Sequence, residues 1–119
     1  MTIKLQDAEL KVMDVIWHEG EVSAKEISMK LTERYGWKKN TTYTLIKRCI
    51  DKGAIERYEP NFICRALIPR EEVQKAETNE LVQKIFDGSE NKLVAALLGR
   101  DNISAEQIEK LKQIVKELE

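Results

Sequence analysis

The chain has 119 residues, of which 42% are hydrophobic and 34% are charged, and its formal net charge is −1. This composition excludes an intrinsically disordered chain and indicates one compact unit, or a small domain with an appendage. The longest apolar run, Leu93 to Leu98, is far shorter than the ~20 residues that span a bilayer, and the N-terminus has no apolar signal core. We therefore expect a cytoplasmic protein that does not associate with a membrane.

Charge is distributed unevenly along the chain. Residues 1–70 carry 13 Lys and Arg against 10 Asp and Glu, whereas residues 71–119 carry 7 against 11. The basic excess is concentrated in residues 34–70, which hold 9 basic and 3 acidic side chains. A basic segment followed by an acidic one is typical of a nucleic-acid-binding domain with a separate, non-binding C-terminal part. Chance clustering on a solvated surface would give the same charge pattern.

Two helices are predicted in the first 36 residues. The first runs from Leu5 to Glu19 with Asp7 as its N-cap, and Gly20 provides its C-terminal stop. Its apolar residues recur at helical spacing, at Leu10, Met13, Ile16 and Trp17. Ser23 and Glu26 match a capping box, which predicts a second helix that begins at Ser23. Its inward residues would be Ala24, Ile27 and Leu31, and Val22 between the helices would bridge to a sheet edge.

The stretch from Trp37 to Gly53 carries the strongest functional signal. Treated as a helix, it places Thr42, Leu45, Ile46, Cys49 and Ile50 on one arc and Asn40, Thr44, Lys47, Arg48 and Asp51 on the other, with Thr41 and Tyr43 at the flanks. A solvated helix face is usually built from Glu and Lys, whereas Asn, Thr, Tyr, Lys and Arg reach phosphate oxygens and base edges. The pattern predicts a recognition helix that begins near Lys38 or Asn40, with Asn40 as the better N-cap.

After Gly53 the spacing of apolar residues changes from helical to strand-like. Ala54–Glu59 and Phe62–Ile68 are short runs rich in β-forming residues, and Pro60-Asn61 between them has the chemistry of a tight turn. These runs predict a β-hairpin with Arg57 and Arg65 pointing outward. Three helices and a hairpin, in that order, predict a mainly α fold with a small β-hairpin wing, the winged helix-turn-helix domain. The hairpin would lie on the DNA backbone.

The candidate DNA contacts divide into two groups. We expect base reading in the major groove by Asn40, Tyr43, Thr44 and Lys47. We expect phosphate binding by Lys38, Lys39, Thr41, Arg48, Arg57 and Arg65. The alternatives are a merely solvated face and, for Arg48, a salt bridge to an acid of the second helix.

Three further helices are predicted after Arg70. Glu71–Asp87 forms one, Ser89 caps a second that ends at Gly99, and Ser104 with Gln107 forms a capping box for the last. Three short helices cannot close a core alone, and a helix that is apolar on every side must be buried on every side. We therefore expect residues 1–70 to bind DNA and residues 71–119 to form a homodimer. Its interface would contain Leu81, Ile85, Phe86, Leu93, Val94, Leu97, Leu98, Ile108, Leu111 and Val115.

The residues do not predict an enzyme. One histidine, two cysteines without CxxC spacing and no Gly-rich phosphate loop provide no nucleophile–base pair or metal-ligand cluster, so no cofactor or metal is predicted. Two other functions stay open. The winged domain would serve as a protein–protein interaction module if acids neutralised the polar face of the third helix. A thiol- or metal-responsive regulator would sense through Cys49 and Cys64 if the fold brought them together.

Motifs along nearly the whole chain add a second line of inference. They are LQDAELKVMDVIWHEGEVSAKEI, Trp37 with TTYTLIKRCIDKGAI, the hairpin, and F-x-G-S-x-x-x-L-V at Phe86–Val94. In these motifs the chain resembles the penicillinase-repressor family of BlaI/MecI and CopY-type regulators. The family pattern T-x-x-T-L-[IL]-x-R-L-x-x-K-G is met by Thr41, Thr44, Leu45, Ile46, Arg48, Lys52 and Gly53. The resemblance implies a dimeric transcriptional repressor of a short palindromic operator, with the C-terminal helices as its dimer module.

The chain departs from the family pattern at several positions. Lys38-Lys39 replace the usual Ser-Pro, and Cys49 and Cys64 replace larger apolar residues. The Asn-Phe bond that a receptor protease cuts in some members would align near Ala96-Leu97, where it is absent. No Cys-x-Cys pair of the copper-responsive relatives follows Cys64. Neither known mode of induction, by an upstream sensor and protease or by copper, has its signature here.

Overall fold

A computed structural model describes residues 3–99 and 104–118 of the chain. The elements in chain order are α1 (Asp7–Glu19), β1 (Glu21–Ser23), α2 (Ala24–Tyr35), α3 (Lys39–Asp51), β2 (Ile55–Tyr58), β3 (Ile63–Ala66), α4 (Arg70–Ile85), α5 (Glu90–Leu98) and α6 (Ala105–Leu118). The chain divides into two compact units, Met1–Val73 and Gln74–Glu119. The predicted fold class, mainly α with a small β-hairpin wing, is confirmed. Among the described residues, no helix has the length and apolar character needed to cross a membrane.

The start of α1 differs from the prediction. The helix begins at Asp7 instead of Leu5, and its N-cap is Gln6, so the expectation of Asp7 as the cap was wrong. The backbone N–H of Gln6 donates to Glu9 Oε1 at 2.6 Å. A Glu at the third helical position reaches back to the cap N–H, which fixes the cap three residues before Glu9.

The caps of α2 and α3 differ in kind. Ser23 Oγ accepts a hydrogen bond from the Glu26 backbone N–H at 3.1 Å, which confirms the predicted cap of α2. At α3 the N-cap is Lys38, whose side chain makes no capping bond, and the expectation of Asn40 as the cap was wrong. The Lys38 carbonyl already accepts from the Thr42 N–H at 3.3 Å, so Asn40 lies inside the first turn of the helix.

A three-stranded antiparallel sheet, in the order β1-β3-β2, completes the first unit. Val22 pairs with Cys64 as the predicted bridge, and Arg57 pairs with Cys64 from the other side. The turn between β2 and β3 is longer than the two residues predicted. Asn61 and Phe62 have φ angles of 74° and 50°, which take both residues out of the strand ladder. The hairpin β2–β3 with its turn is called the wing below.

The core of the first unit lies between the three helices and one face of the sheet. Its largest fully buried apolar side chains are Met13, Ile16, Ile27, Leu31, Ile46, Ile55, Val12, Cys49 and Cys64. Trp17 lies at the edge of this core, where its Nε1 donates to the Ile68 carbonyl at 2.9 Å. The predicted inward faces of α1 and α2 are therefore largely confirmed.

A buried charge fixes the end of α3 against the start of α1. Glu9 is only 1% exposed, and Lys52 Nζ lies 2.6 Å from its Oε1 and 2.8 Å from the Lys4 carbonyl oxygen. Burial raises the pKa of Glu9, but hydrogen bonds from Lys52 and from the Gln6 N–H outweigh burial and hold that pKa below its usual value. The ion pair thus positions α3, whose first turns carry the candidate DNA contacts.

The second unit consists of helices with capped ends. Ser89 Oγ accepts from the Lys92 N–H at 3.2 Å, and Ser104 and Gln107 form both bonds of a capping box. In α5 only Leu93 is buried among the described residues of that helix, whereas Ala95, Ala96 and Leu98 are exposed. The expectation that α5 is buried on every side is therefore not met within one chain.

Candidate nucleic-acid interface

The exposed face of α3 is the centre of the candidate interface. As predicted, Thr42, Leu45, Ile46 and Cys49 are buried, while Asn40, Thr41, Thr44, Lys47, Arg48 and Asp51 are exposed. Tyr43 is half-buried at the flank. Thr42 lies on the inner arc and is fully buried, and its Oγ1 has no hydrogen-bond partner among the described residues. The outer arc leaves every predicted base-reading side chain at least partly accessible.

Within the described part of the chain, the cations of α3 and its N-cap form no direct ion pair with an acid. In residues 3–99 and 104–118, no carboxylate lies within 4.0 Å of the amino groups of Lys38, Lys39 and Lys47 or of the Arg48 guanidinium. The alternative of a salt bridge between Arg48 and an acid of α2 is therefore not formed. Asp51, at the C-terminal end, is the only acid in α3. This arrangement leaves a positive surface for a polyanion.

Two side chains on this face have their orientation fixed by neighbours. Thr44 Oγ1 donates to the Asn40 carbonyl at 2.9 Å, so its hydroxyl proton is used within the helix while its methyl group remains available. The ring of Tyr43 meets the ring of Phe62 edge to face, with centroids 5.8 Å apart. Lys39 Nζ lies 5.6 Å from the Tyr43 ring centroid. The interface therefore includes ordered aromatic and methyl groups as well as charges.

Arg57 and Arg65, the two predicted phosphate ligands of the wing, lie on opposite faces of the sheet. Arg57 pairs with buried Cys64, and residues directly opposite in an antiparallel pair point to the same side. Arg57 is thus on the side of the sheet that packs on the helices. Its guanidinium lies 3.6 Å from the Phe62 ring centroid, and its Nη2 lies 2.6 Å from Glu59 Oε1.

Arg65 has acidic surroundings. It pairs in register with Glu21 on one side and Glu56 on the other, on the face away from the core. Its guanidinium nitrogens lie 3.3 Å from Glu56 Oε2 and 3.9 Å from Glu21 Oε1, and the group lies over the Tyr58 ring at 5.4 Å. Two carboxylates reduce its attraction for a phosphate, so Arg57 is the stronger of the two wing candidates.

Sequence reasoning missed two residues that shape this interface. Glu59 accepts hydrogen bonds from Arg57 Nε at 2.6 Å and from the Phe62 backbone N–H at 3.3 Å. The Arg57-x-Glu59 spacing, which places both side chains on one side of a strand, could have indicated this pair. Phe62 was predicted as the first residue of the second strand of the hairpin, but the turn extends beyond Pro60-Asn61 and includes it.

The two cysteines are buried thiols. Both are fully enclosed, and burial raises the pKa of Cys49 to about 12 and that of Cys64 to about 11. A protonated, inaccessible thiol reacts slowly with oxidants and electrophiles. In the described part of the chain, no group of three or more His, Cys, Asp or Glu side chains is arranged to hold a metal ion. Burial and the raised pKa values argue against thiol chemistry at Cys49 and Cys64.

Several of the predicted dimerisation residues are exposed apolar side chains. Leu81, Ile85 and Leu98 are exposed, Phe86, Val94 and Leu97 are half-buried, and Leu93 is buried. The side chains of Ile108, Leu111 and Val115 lie outside the described residues. Val82, which was not predicted as an interface residue, is buried.

Three helices, a short strand before the second helix and a hairpin after the third define a winged helix-turn-helix domain with a basic third helix. The penicillinase repressor family model matches residues 5–117, and the chain belongs to this family. The predicted resemblance is confirmed.

Curated relatives match along almost the whole chain. The penicillinase repressor of Bacillus licheniformis is 28% identical over 116 residues, which cover 96% of this chain and 91% of the relative. The methicillin resistance regulatory protein MecI of Staphylococcus aureus (strain N315) is also 28% identical, over 96% of this chain and 94% of the relative.

Two solved structures share the fold of 60% of the chain. The solution structure of the DNA-binding domain of the repressor BlaI matches with a TM-score of 0.56 and 28% identity, over 60% of this chain and 90% of that one. The monomeric form of Bacillus licheniformis BlaI in complex with the blaP half-operator matches with a TM-score of 0.54 and 30% identity, over the same shares. The matched share is close in size to the first compact unit.

Proposed function

We propose that this protein is a sequence-specific DNA-binding transcriptional repressor that binds a palindromic operator as a homodimer. In this proposal α3 enters the major groove and the wing lies on the phosphate backbone. The observation that carries it is the exposed face of α3, on which Asn40, Thr44 and Lys47 are accessible and the cations form no ion pair with any carboxylate of the described residues. The solved BlaI complex with a half-operator supports the same use of a related fold.

The base-reading and phosphate-binding roles follow from this orientation. Asn40 pairs with adenine and Lys47 with guanine, the Thr44 methyl contacts a thymine methyl, and Tyr43 reaches the groove from the flank. Lys38, Lys39, Thr41 and Arg48 contact phosphates beside the groove. Arg57 contacts the backbone from the wing, and Arg65, held by two acids, contributes less. A protein-interaction module would require acids that neutralise the α3 face. The described contacts contain no such ion pairs.

The homodimer is proposed from the second unit. Leu81, Ile85, Leu98 and Ile114 are large apolar side chains that stay exposed in a single chain. A second copy would remove them from water and would supply the two-fold symmetry with which a helix-turn-helix protein reads two half-sites. The compact units Met1–Val73 and Gln74–Glu119 support a division into a DNA-binding and a dimerisation region near residue 70.

Fluorescence anisotropy with the DNA directly upstream of this protein's own gene tests the proposal. The comparison is a composition-matched scrambled fragment, measured across a salt series. We expect tight, salt-sensitive binding to the native fragment alone. The slope of the logarithm of the binding constant against the logarithm of the salt concentration reports the number of phosphates contacted. Absence of binding to either fragment at low salt would contradict the proposal and favour a protein-interaction module.

A further inference from the structure

Phe62 lies where the turn of the wing meets α3. Its ring centroid is 3.6 Å from Arg57 Cζ on one side, and on the other its ring meets that of Tyr43 at an interplanar angle of 82°. Lys39 Nζ lies 5.6 Å from the Tyr43 ring centroid. A continuous stack of side chains therefore runs from the wing arginine through Phe62 to the first turn of α3.

The backbone holds Phe62 in this position from two sides. Its carbonyl accepts a hydrogen bond from the Ala24 N–H at 2.9 Å, at the start of α2, and its own N–H donates to Glu59 Oε2 at 3.3 Å. Its φ of 50° is rare for a bulky side chain, and such backbone geometry persists where the surroundings fix it. The ring is thus supported by contacts to α2 and to Glu59, independently of the stack.

We propose that Phe62 is a positioning residue that couples the phosphate contact of the wing to base reading by α3. The inference rests on the proposed DNA-binding function. A guanidinium stacked on an aromatic face keeps its edge exposed; Nε and Nη2 of Arg57 bond Glu59 Oε1, and the remaining N–H groups can donate to a phosphate. The edge-to-face contact with Phe62 sets the orientation of Tyr43. Arg57 and Tyr43 then contact DNA as one unit, and loss of either side chain loosens the other.

The wing contains a matched control on its other face. Arg65 Cζ lies 5.4 Å from the centroid of the Tyr58 ring. Tyr58→Leu therefore removes an aromatic–arginine contact from the same hairpin. This second pair belongs to the row of residues that faces away from the core, with Glu21 and Glu56. The control therefore disturbs the wing without breaking the stack that leads to α3.

A double-mutant cycle measures the proposed coupling. Operator affinity is determined by anisotropy for the wild type, Arg57→Gln, Tyr43→Ala and the double variant, and again for all four combined with Phe62→Leu. With Phe62 present, we expect the loss of affinity in the double variant to be smaller than the product of the two single losses, by a factor of about three or more. With Phe62→Leu the two effects should multiply to within about twofold, as they do for independent sites.

Control variants separate positioning from a general loss of structure. We expect Phe62→Tyr to retain the coupling because it keeps the ring, and Tyr58→Leu to leave the coupling unchanged, with folding of each variant followed by circular dichroism. The proposal would be overturned if the effects of Arg57→Gln and Tyr43→Ala on affinity simply multiply in the presence of Phe62. It would also be overturned if their coupling persists in Phe62→Leu. A wild type that does not distinguish operator from scrambled DNA would overturn the proposed function instead.

The free protein provides a readout that needs no DNA. The Phe62 ring current should shift the NMR signals of the Arg57 side chain upfield in the wild type and in Phe62→Tyr, and the shift should vanish in Phe62→Leu. Arg57 signals at their random-coil positions in the wild type would also overturn the inference, whatever the DNA measurements give.

Discussion

Arg57 and Arg65 stand on neighbouring strands of one hairpin, and their surroundings differ. Arg57 has a single carboxylate, that of Glu59, and an aromatic ring shared with α3, whereas Arg65 lies between Glu21 and Glu56. The sequence predicted that both point outward; both are exposed, but Arg57 lies on the face of the sheet that packs on the helices. Strand register decides the face, and register depends on the length of the turn, which the sequence understated.

Replacing Glu59 by Gln should strengthen DNA binding. The substitution removes the carboxylate that lies 2.6 Å from Arg57 Nη2, while an amide oxygen remains to accept the Phe62 N–H. We expect a severalfold lower Kd and a salt dependence steeper by about one phosphate contact, because Arg57 is freed for the backbone. Stability should change by less than about 1 kcal/mol, as is usual for an exposed ion pair.

The control for this effect is Glu56→Gln, which removes a partner of Arg65 on the opposite face of the sheet. A smaller change in Kd than that of Glu59→Gln is expected there. Equal effects at both positions would mean that net charge, and not the release of Arg57, governs binding by the wing.

At the scale of elements, the boundaries of the helices were largely predictable and their charged anchors were not. Apolar spacing and the capping serines located α1, α2, α5 and α6 because burial and backbone hydrogen bonds are local and periodic. Glu9 was missed although it lies one turn before Val12 and Met13 on the buried stripe of α1. Its partner Lys52 is far away in sequence, and no local pattern reveals a tertiary ion pair.

Replacing Glu9 by Gln should destabilise the first unit. The change removes a charged acceptor from two hydrogen bonds, so the free energy of unfolding at pH 7 should fall by about 1.5–3 kcal/mol. The measurement is urea denaturation followed by tryptophan fluorescence. Glu19→Gln, which removes an exposed partner of Lys30, serves as the control and should lower stability less than Glu9→Gln does.

The same pair predicts a pH dependence with a definite sign. The pKa of Glu9 in the folded protein is below its ordinary value of 4.5, so its contribution is fully present above pH 4.5. That contribution is lost as the pH falls through the folded-state pKa. The difference in stability between wild type and Glu9→Gln should therefore shrink on acidification below pH 4.5. A difference that stays constant from pH 7 to pH 3 would contradict this role.

At the scale of the whole molecule, the described apolar side chains of the two compact units differ in exposure. The first unit has a closed core, whereas the second leaves Leu81, Ile85 and Leu98 in contact with solvent. Hydrophobic patterning predicted this incompleteness, because α5 has too many apolar residues for a helix at the surface of a monomer. The contacts between two copies depend on how the copies pack, and hydrophobic patterning within one chain does not specify this packing.

Ile85→Asp should break the proposed dimer. Ile85 is 66% exposed in the single chain, so the substitution disturbs no core, but it would place a charge in the interface. Sedimentation equilibrium should show a shift from dimer to monomer, and affinity for a full palindrome should fall about 100-fold as bivalent binding is lost. Met29→Asp, at a residue that is 61% exposed in α2, should remain dimeric. A dimeric Ile85→Asp protein would place the interface elsewhere.

The central claim is that the exposed face of α3 reads base pairs, and selection from a randomised DNA library tests it most directly. The wild type, Lys47→Ala and Lys39→Ala are each used to select binding sites. We expect Lys47→Ala to lose about 1–3 kcal/mol of operator binding and its preference at one base pair in each half-site, symmetrically about the centre. Lys39→Ala should weaken binding without changing the selected sequence. An unchanged sequence preference for Lys47→Ala would contradict the claim.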